Sequence, residues 1–247
     1  MRYLLAIDDT DQKNWPGTGH LLEKIRKNIT ENGWGVTDSI TRHQLFVHPS
    51  VPYTSHNSVM CFAGEISQKG IIEGIIDLAG SYLKRESAPE ADPGLCVVFP
   101  EELKFLEKLI SFGEKAKKEK LFKEDAYQLA EQLSICLSEH GGTGDGVIGA
   151  LAGTGLRLSG NDGRFRGSHF ILENPCKFRI KDLCEKWEID KACTENGEML
   201  SDEEMVFLKG KVKTVLKGNK SVLLVKRFRH RNDLIWKNLE HTEVKYY

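Results

Sequence analysis

The sequence predicts an α/β (α+β) protein in which a smaller domain is inserted into a larger one. Three observations support this prediction. A short apolar strand begins the chain, strands and amphipathic helices alternate between residues 58 and 139, and a glycine-rich apolar helix follows. We therefore expect a discontinuous domain formed by residues 1–57 and 140–247, with residues 58–139 as the inserted domain.

The first predicted element is a strand, because residues 3–7 form an apolar run of strand length and composition. The run ends in three carboxylates within four residues, Asp8, Asp9 and Asp11. These carboxylates repel one another at a strand end, and Mg²⁺ suits carboxylate oxygens. Ligands of open α/β sheets also bind at the carboxyl ends of strands. The pattern predicts a Mg²⁺ site, with a solvated acidic turn as the alternative.

The next predicted element is a helix whose apolar residues recur at helical spacing: Leu21, Leu22, Ile25 and Ile29. Thr18 stands where the N-cap is expected, and Gly17 and Gly19 flank it. Open backbone at a helix N-terminus favours phosphate, so the carboxylates and this helix start together indicate a Mg–nucleotide site. For Thr18, capping alone is the structural alternative. The loop is not a Walker loop, because G-x-x-x-x-G-K-[ST] is absent.

Three histidines, His43, His48 and His56, accompany a loop that contains Pro and Ser. Loops often carry functional side chains. The pair His56 and Asn57 is the candidate for substrate binding, because a strand pattern starts immediately after it. An ordinary surface loop is the alternative.

Residues 58–139 alternate like a split β-α-β unit of ferredoxin type. Strand patterns lie at residues 59–62 and 95–99, and helical patterns lie at residues 71–78, 103–109 and 126–137.

A second glycine cluster, GGTGDG at residues 141–146, precedes the apolar helical run VIGALAGTG. Its backbone N–H groups are suited to phosphate or ribose. The candidate nucleotide contacts are Gly142, Gly144, Asp145 and Gly146. The alternative is a tight turn into a buried helix, in which Gly149 and Gly153 permit close packing.

A basic segment begins at Lys209 and ends at Arg231; it contains nine Lys or Arg residues and no Asp or Glu. Phe228 lies among these cations. The pattern indicates a nucleic-acid partner, such as RNA, or a polyphosphate. A solvated basic face is the alternative.

The composition agrees with a globular protein of 247 residues, 40% hydrophobic and 29% charged, with a net charge of -1. No apolar stretch approaches the ~18 residues of a membrane span, and the apolar start is too short for a signal peptide. We therefore expect a cytoplasmic protein. None of the six cysteines forms C-x-x-C, and no Cys/His set has zinc-finger spacing.

Four features together resemble the archaeal family of 2-agmatinylcytidine synthetases that modify isoleucine tRNA. They are the strand ending IDDTD, the threonine at the next helix start, the PGLCVV strand and the segment GTGDGVIGALAGTG. Their order agrees over roughly the first 160 residues. In that family a kinase-like domain binds ATP and Mg²⁺, and a ferredoxin-like domain is inserted in it. The enzyme phosphorylates a cytosine carbonyl of tRNA, and agmatine displaces the phosphate.

The resemblance implies that residues 1–57 and 140–247 form an ATP-binding kinase-like domain and that the insert is ferredoxin-like. It implies that Asp8, Asp9 and Asp11 hold Mg–ATP, that Thr18 accepts phosphate, and that residues 144–146 line the nucleotide pocket. Two departures matter. The family carries Cys-Thr-Thr where this chain has Gly-Thr-Gly, and the zinc-ribbon cysteines and the oligonucleotide-binding domain have no counterpart in the sequence. We therefore expect a stand-alone relative with a different or smaller substrate.

The predicted function is that of an ATP- and Mg-dependent phosphotransferase or ligase-like enzyme related to tRNA cytidine agmatinyl modification. It would act through a phosphorylated intermediate on a substrate that the sequence does not identify, with a nucleotide or RNA as the candidates. One alternative is a Mg-dependent phosphohydrolase of the haloacid dehalogenase type, since Asp9-Thr10-Asp11 follows an apolar strand; its later Asn-Asp pair is replaced by Val147-Ile148. The other alternative is a non-catalytic nucleotide- or RNA-binding module.

Overall fold

The computed structural model describes residues 1–51, 56–167, 169–230 and 233–247, and it forms two compact units, Met1–Ser159 and Gly160–Tyr247. In the described part of the chain, no helix combines the length and the apolarity that crossing a membrane requires.

Strands and helices alternate in the first unit. The strands are β1 (Arg2–Asp8), β2 (Val36–Thr37), β3 (Thr41–Gln44), β4 (Ser58–Glu65), β5 (Gly94–Val98) and β6 (Cys136–Glu139). The helices are α1 (Thr18–Glu31), α2 (Ile71–Glu86), α3 (Leu106–Ala116), α4 (Lys123–Leu133) and α5 (Gly146–Ser159). The strands pair antiparallel in the order β6-β5-β1-β4-β3, and β2 also pairs with β4. A mixed α/β fold with a mostly antiparallel sheet confirms the broad fold class.

Strand β1 lies between β4 and β5 and is buried on both faces. Because alternate side chains of a strand point to opposite faces, β1 contributes to two cores. Tyr3, Leu5 and Ile7 pack with α1 and α2. Leu4 and Ala6 pack with α3, α4 and α5. The first unit is therefore a sheet covered by helices on both faces, which explains the uninterrupted apolar run.

The split β-α-β topology is present, but it starts earlier in the chain than the sequence predicts. Apart from the two-residue strand β2, the elements β1, α1, β3, β4, α2 and β5 follow the order strand-helix-strand-strand-helix-strand. This motif begins at Arg2, whereas the ferredoxin-like unit is predicted at residues 58–139. The compact units also divide the chain after Ser159. A ferredoxin-like insert at 58–139 is not confirmed, and that division stays a prediction.

One helix boundary differs from the sequence prediction. The helix predicted to continue through residue 137 ends at Leu133, because Ser134 adopts a left-handed backbone with φ of 55°. The N–H of Ile135 donates a hydrogen bond to the carbonyl of Ala130 at 2.8 Å. Cys136 starts β6, which pairs with β5. Pairing of this strand with β5 overrides the helical spacing of its apolar residues.

The second unit is mainly β. Its elements are β7 (Arg164–Phe165), β8 (Phe170–Arg179), α6 (Ile180–Lys186), β9 (Lys191–Thr194), β10 (Met205–Val212), β11 (Val215–Lys217), β12 (Lys220–His230) and β13 (Asp233–Asn238). The strand order is β7-β11-β12-β13-β10-β8, and β9 pairs parallel with β12. The assignment of these residues to the ATP-binding domain stays a prediction.

Strand β12 contributes to two cores of the second unit. Leu223 and Val225 pack in a core with α6, whereas Val222 and Leu224 pack in another with Val244. The strand contains the second half of the basic segment, from Lys220 as far as His230. Its successive cations therefore alternate between two faces, since side chains alternate along a strand. Arg231, the predicted end of the segment, lies outside the described residues.

Candidate functional site

Three loops meet where β1 ends. We call them the acidic loop (residues 8–11), the linking loop (residues 88–93) and the glycine loop (residues 141–146). Because β5 runs antiparallel to β1, Asp8 pairs with Gly94, and the linking loop lies beside the acidic loop. The Ala88 N–H donates to the Thr10 carbonyl at 3.0 Å, and the Gly146 N–H donates to the Asp92 carbonyl at 3.0 Å. These bonds join the two motifs that the sequence singled out.

Asp8 is buried, and its carboxyl group faces α5. A Cβ atom at Gly149 would lie 1.7 Å from Asp8 Oδ2, so only glycine lets the helix approach this closely. Burial is the largest cause that raises the pKa of Asp8 to about 8, followed by the charge of Asp9 and, more weakly, that of Asp11. A hydrogen bond from the Asp9 N–H lowers the pKa of Asp8, because it stabilises the ionised carboxylate. With this pKa, Asp8 holds its proton at neutral pH.

Asp9 stands among carboxylates from all three loops. Its backbone is left-handed, with φ of 50°, a conformation that Asp tolerates better than most residues. Burial raises the pKa of Asp9 to about 6, and the charges of Asp92, Asp11 and Asp145 add to this effect. The Asp92 N–H lowers the same pKa by donating to the carboxylate. The site therefore concentrates negative charge that a cation would relieve.

Asp11 joins the acidic loop to the start of α1. Its Oδ2 accepts the Thr18 N–H at 3.2 Å, and the Thr10 hydroxyl donates to the Thr18 hydroxyl at 3.1 Å. The N-cap is Gly17, one residue before the predicted position, and it is exposed. Thr18 is the first helical residue and is only 5% exposed, and Gly19 is buried beside it. The Thr18 hydroxyl thus lies beneath the acidic loop.

The glycine loop turns sharply at two positions. Gly142 and Gly144 have φ of 56° and 80°, where a side chain is strained. A Cβ atom at Gly144 would also lie 1.9 Å from Glu139 Oε2. The loop is therefore a tight turn that requires glycine.

Several N–H groups around the start of α5 already bond within the protein. The Thr143 N–H donates to Asp92 Oδ1, and the Gly146 N–H to the carbonyl of the same residue. The N–H groups of Val147 and Ile148 donate to carbonyls of the loop at 3.2 and 3.1 Å. In this conformation those four groups do not face a phosphate. The role of Gly142, Gly144, Asp145 and Gly146 in nucleotide binding stays a prediction.

Close packing of α5 accounts for its later glycines. A Cβ atom at Gly153 would lie 2.5 Å from the side chain of Val59, and one at Gly155 would lie 2.1 Å from the Leu109 carbonyl. The structural interpretation of the helical glycines, close approach to neighbouring elements, is therefore confirmed.

Two cations lie at the rim of the site. Arg42 on β3 donates through Nε to Ser58 Oγ at 2.9 Å. Burial lowers the pKa of Arg42, and the charge of Asp11 acts in the opposite direction. Lys123 Nζ donates to the Thr143 carbonyl of the glycine loop at 2.7 Å. Lys123 Nζ also pairs with Glu139 Oε1 at 3.2 Å, so its charge is already balanced within the protein.

Sequence reasoning missed Asp92 and Arg42. Asp92 directly precedes the PGLCVV strand, but only the antiparallel pairing of β5 with β1 places it beside Asp9. Arg42 is opposite Met60, which in turn is opposite Ile7. Two strand pairings are needed to bring it near the acidic loop.

The histidines occupy different environments. His43 is not in a loop but in β3, fully buried, with Nε2 2.8 Å from Thr41 Oγ1. His48 is exposed, and its Nδ1 lies 2.8 Å from Ser50 Oγ.

The predicted substrate pair His56 and Asn57 follows residues 52–55, which lie outside the described residues. His56 is exposed. The side-chain amide of Asn57 donates to the Phe46 carbonyl at 2.8 Å. The backbone carbonyl of Asn57 accepts the Leu45 N–H at 2.9 Å. Asn57 therefore holds its loop together, and substrate binding by the pair stays a prediction.

Across the described ranges, no three His, Cys, Asp or Glu side chains are arranged so that together they hold a metal ion. Nucleotide sites need fewer protein ligands, because Mg²⁺ is usually held there by one or two carboxylates, water and phosphate oxygens. Carboxyl groups whose pKa values are raised by burial and like charges gain from a nearby cation. The chemistry of Asp8 and Asp9 suits Mg²⁺ in this form.

No family model and no curated protein sequence matches the chain. Solved structures do match. A tRNA fluorescent labeling enzyme is similar with a TM-score of 0.53 and 26% identity, over 63% of this chain and 36% of that one. TiaS, an agmatidine synthetase of isoleucine tRNA, in complex with tRNA and ATP, is similar with a TM-score of 0.54 and 25% identity, over 63% and 36%. Apo TiaS is similar with a TM-score of 0.53 and 25% identity, over 63% of this chain and 35% of that one. The resemblance that the motifs indicated is confirmed, although this chain spans little more than a third of those chains.

Proposed function

We propose that this chain binds ATP with Mg²⁺ where β1 ends and transfers a phosphoryl group during the modification of a nucleotide or RNA. One observation carries the proposal: Asp8, Asp9, Asp11 and Asp92 converge from two loops, and two of them have raised pKa values. The similarity to TiaS solved with tRNA and ATP supports the same ligand at this site.

In this proposal Asp8 and Asp9 would hold the metal. Mg²⁺, when bound, neutralises negative charge on the phosphates. Release of the Asp8 proton accompanies cation binding, because a cation favours the ionised carboxylate. Arg42 is positioned near Asp11 to contact a phosphate oxygen with its guanidinium group.

Thr18 is the proposed acceptor of the γ-phosphoryl group of ATP: its hydroxyl oxygen would bond to the γ-phosphorus as the bond to the ADP oxygen breaks, and the hydroxyl proton would be released. Its position at the first turn of α1 suits an added phosphate, because anions are stabilised at helix N-termini. Its hydroxyl is buried and bonded to Thr10, so transfer requires the acidic loop to move away first. The proposed acceptor of the later step is a nucleotide or RNA, as in tRNA cytidine modification.

The test uses purified protein with Mg²⁺ and γ-labelled ATP, followed by peptide mapping of the bound label. We expect label on Thr18, and we expect Asp9→Asn to abolish it while the thermal unfolding profile is retained. Asp77→Asn, an exposed carboxylate on α2, is the matched control and should label like the wild type.

The outcomes separate the candidate functions. An acyl-phosphate on Asp9, which alkali cleaves more readily than a threonine phosphate, would indicate a haloacid-dehalogenase-type hydrolase instead. ATP binding with neither label nor ATP loss would indicate a binding module. Either result would refute the proposed phosphotransferase.

A further inference from the structure

One face of the β8-β10-β13-β12 sheet in the second unit carries an unusual set of side chains. Residues paired across strands project to the same face. Strand pairing places Lys177 opposite Phe207, Arg179 opposite Met205, Phe207 opposite Lys237, and Phe228 opposite Ile235. We call the surface that these side chains share the outer face; its residues are Lys177, Arg179, Met205, Phe207, Phe228, Ile235 and Lys237. The opposite face, with Phe178, Val206 and Trp236, is packed into a core.

The centre of the outer face is apolar and accessible. Phe228 is 39% exposed and Met205 is 45% exposed, and Phe207 and Ile235 beside them are half-buried. Contiguous apolar groups that stay in contact with water commonly mark an interaction site. Two aromatic rings on one flat sheet surface are suited to planar partners.

Cations flank these rings. Lys177 and Arg179 are exposed along β8. Lys237 Nζ lies 5.2 Å from the centre of the Phe228 ring, and Lys226 is opposite Lys237. The outer face therefore combines aromatic surface with positive charge.

Three carboxylates reach these cations from segments beside the strands. Glu203 lies 3.4 Å from Arg179, Glu240 lies 2.8 Å from Lys237, and Glu243 pairs with Lys226. Their side chains are 73%, 53% and 36% exposed. The Arg179–Glu203 pair is exposed on both sides and contributes little free energy, so a polyanion can replace Glu203 at modest cost. The Lys237 side chain is only 11% exposed and keeps Glu240 as its partner.

The remaining cations of β12 near its end lie on the other face. Arg227 is opposite Trp236, and its guanidinium carbon lies 3.6 Å from the centre of that indole ring. Arg229 is opposite Leu234, which is 60% exposed. The basic segment is therefore divided between two surfaces, and the two phenylalanines belong to the outer face.

We propose that the outer face binds single-stranded RNA, with bases stacked on Phe207 and Phe228 and phosphates in contact with Lys177 and Arg179. The inference rests on the proposed function in that this RNA would belong to its substrate. Unpaired bases expose the rings that stacking needs, whereas duplex RNA keeps them stacked on one another. An acidic peptide would use the cations but would leave the aromatic rings without a partner.

The experiment measures binding of a labelled single-stranded RNA of about 12 nucleotides to the full chain by fluorescence anisotropy. We expect Phe207→Ala and Phe228→Ala each to weaken binding about tenfold, and Phe228→Trp to retain it, because stacking survives in an indole ring. Lys177→Gln should weaken binding and reduce the slope of log K against log salt by about 0.7.

Two variants on the opposite face are matched controls. Leu234→Ala removes an exposed apolar side chain, and Arg229→Gln removes an exposed cation of the same basic segment; neither should change binding. Circular dichroism of every variant checks that the sheet is retained.

Three results would overturn the inference. The first is RNA binding that the phenylalanine variants leave unchanged, and the second is an equal loss for Arg229→Gln. The third is preferential binding of an acidic peptide or of inorganic polyphosphate in competition. Phosphoryl transfer from ATP is measured separately with the Asp9→Asn variant, so failure of the RNA face and failure of the proposed function are distinguishable.

Discussion

Replacing Asp8 with asparagine should change how stability depends on pH. The pKa of Asp8 is raised from 3.8 to about 8 in the folded chain. A group with a raised folded pKa contributes stability that is full below the unfolded pKa and is lost as pH rises through the folded pKa. Asp8 therefore stabilises the fold near pH 4 and progressively ceases to do so toward pH 8.

The magnitude follows from the two pKa values. Each pH unit in which only the unfolded state loses the proton costs about 1.4 kcal/mol. Between pH 5 and pH 8 the contribution of Asp8 falls by about 3 to 4 kcal/mol, allowing for partial ionisation at both ends. The Asp8→Asn variant has no proton to lose. Its free energy of unfolding should exceed that of the wild type at pH 8 and approach it at pH 5.

Urea denaturation at pH 5, 6, 7 and 8 with a chelator measures this difference. The matched control is Asp77→Asn, an exposed surface substitution on α2 that should change the free energy of unfolding by less than about 0.5 kcal/mol. Parallel curves for wild type and Asp8→Asn would refute the argument, because they would mean that Asp8 is ionised in the folded chain. A variant that is less stable at every pH would contradict the neutral, buried state of this carboxyl group.

Three further predictions concern the same unit. Added Mg²⁺ at ten times its Kd should raise the free energy of unfolding at pH 8 by about 1.4 kcal/mol in the wild type and by less in Asp9→Asn, as measured by urea denaturation. Gly149→Ala should destabilise by at least about 2 kcal/mol, because its Cβ meets the carboxyl group of Asp8, whereas Gly70→Ala has no atom within 4 Å and should be nearly neutral in thermal unfolding. Ser134→Gly should stabilise by about 0.5 to 1 kcal/mol, because φ of 55° favours glycine; a lower unfolding midpoint would contradict this.

Local patterns predicted several elements correctly. The apolar run at residues 3–7 lies within β1, and the helical spacing from Leu21 to Ile29 lies within α1. The wrong helix end at residue 137 has a local cause, since a left-handed Ser134 is not visible in the spacing of apolar residues. The catalytic, metal-binding and nucleotide-binding roles of the site residues stay predictions.

The sequence by itself determined that carboxylates follow the first strand and that glycines lie before and within the helix at 146–159. Both features are visible locally, because they concern residues that are close together along the chain. Tertiary structure decided that Asp92 lies beside Asp9, that Gly149 accommodates Asp8, and that Phe207 and Phe228 share one face. The physical reason is strand register. Which distant residues become neighbours depends on how strands pair and how helices pack on them, and a one-residue shift in register would move every side chain of that strand to the other face.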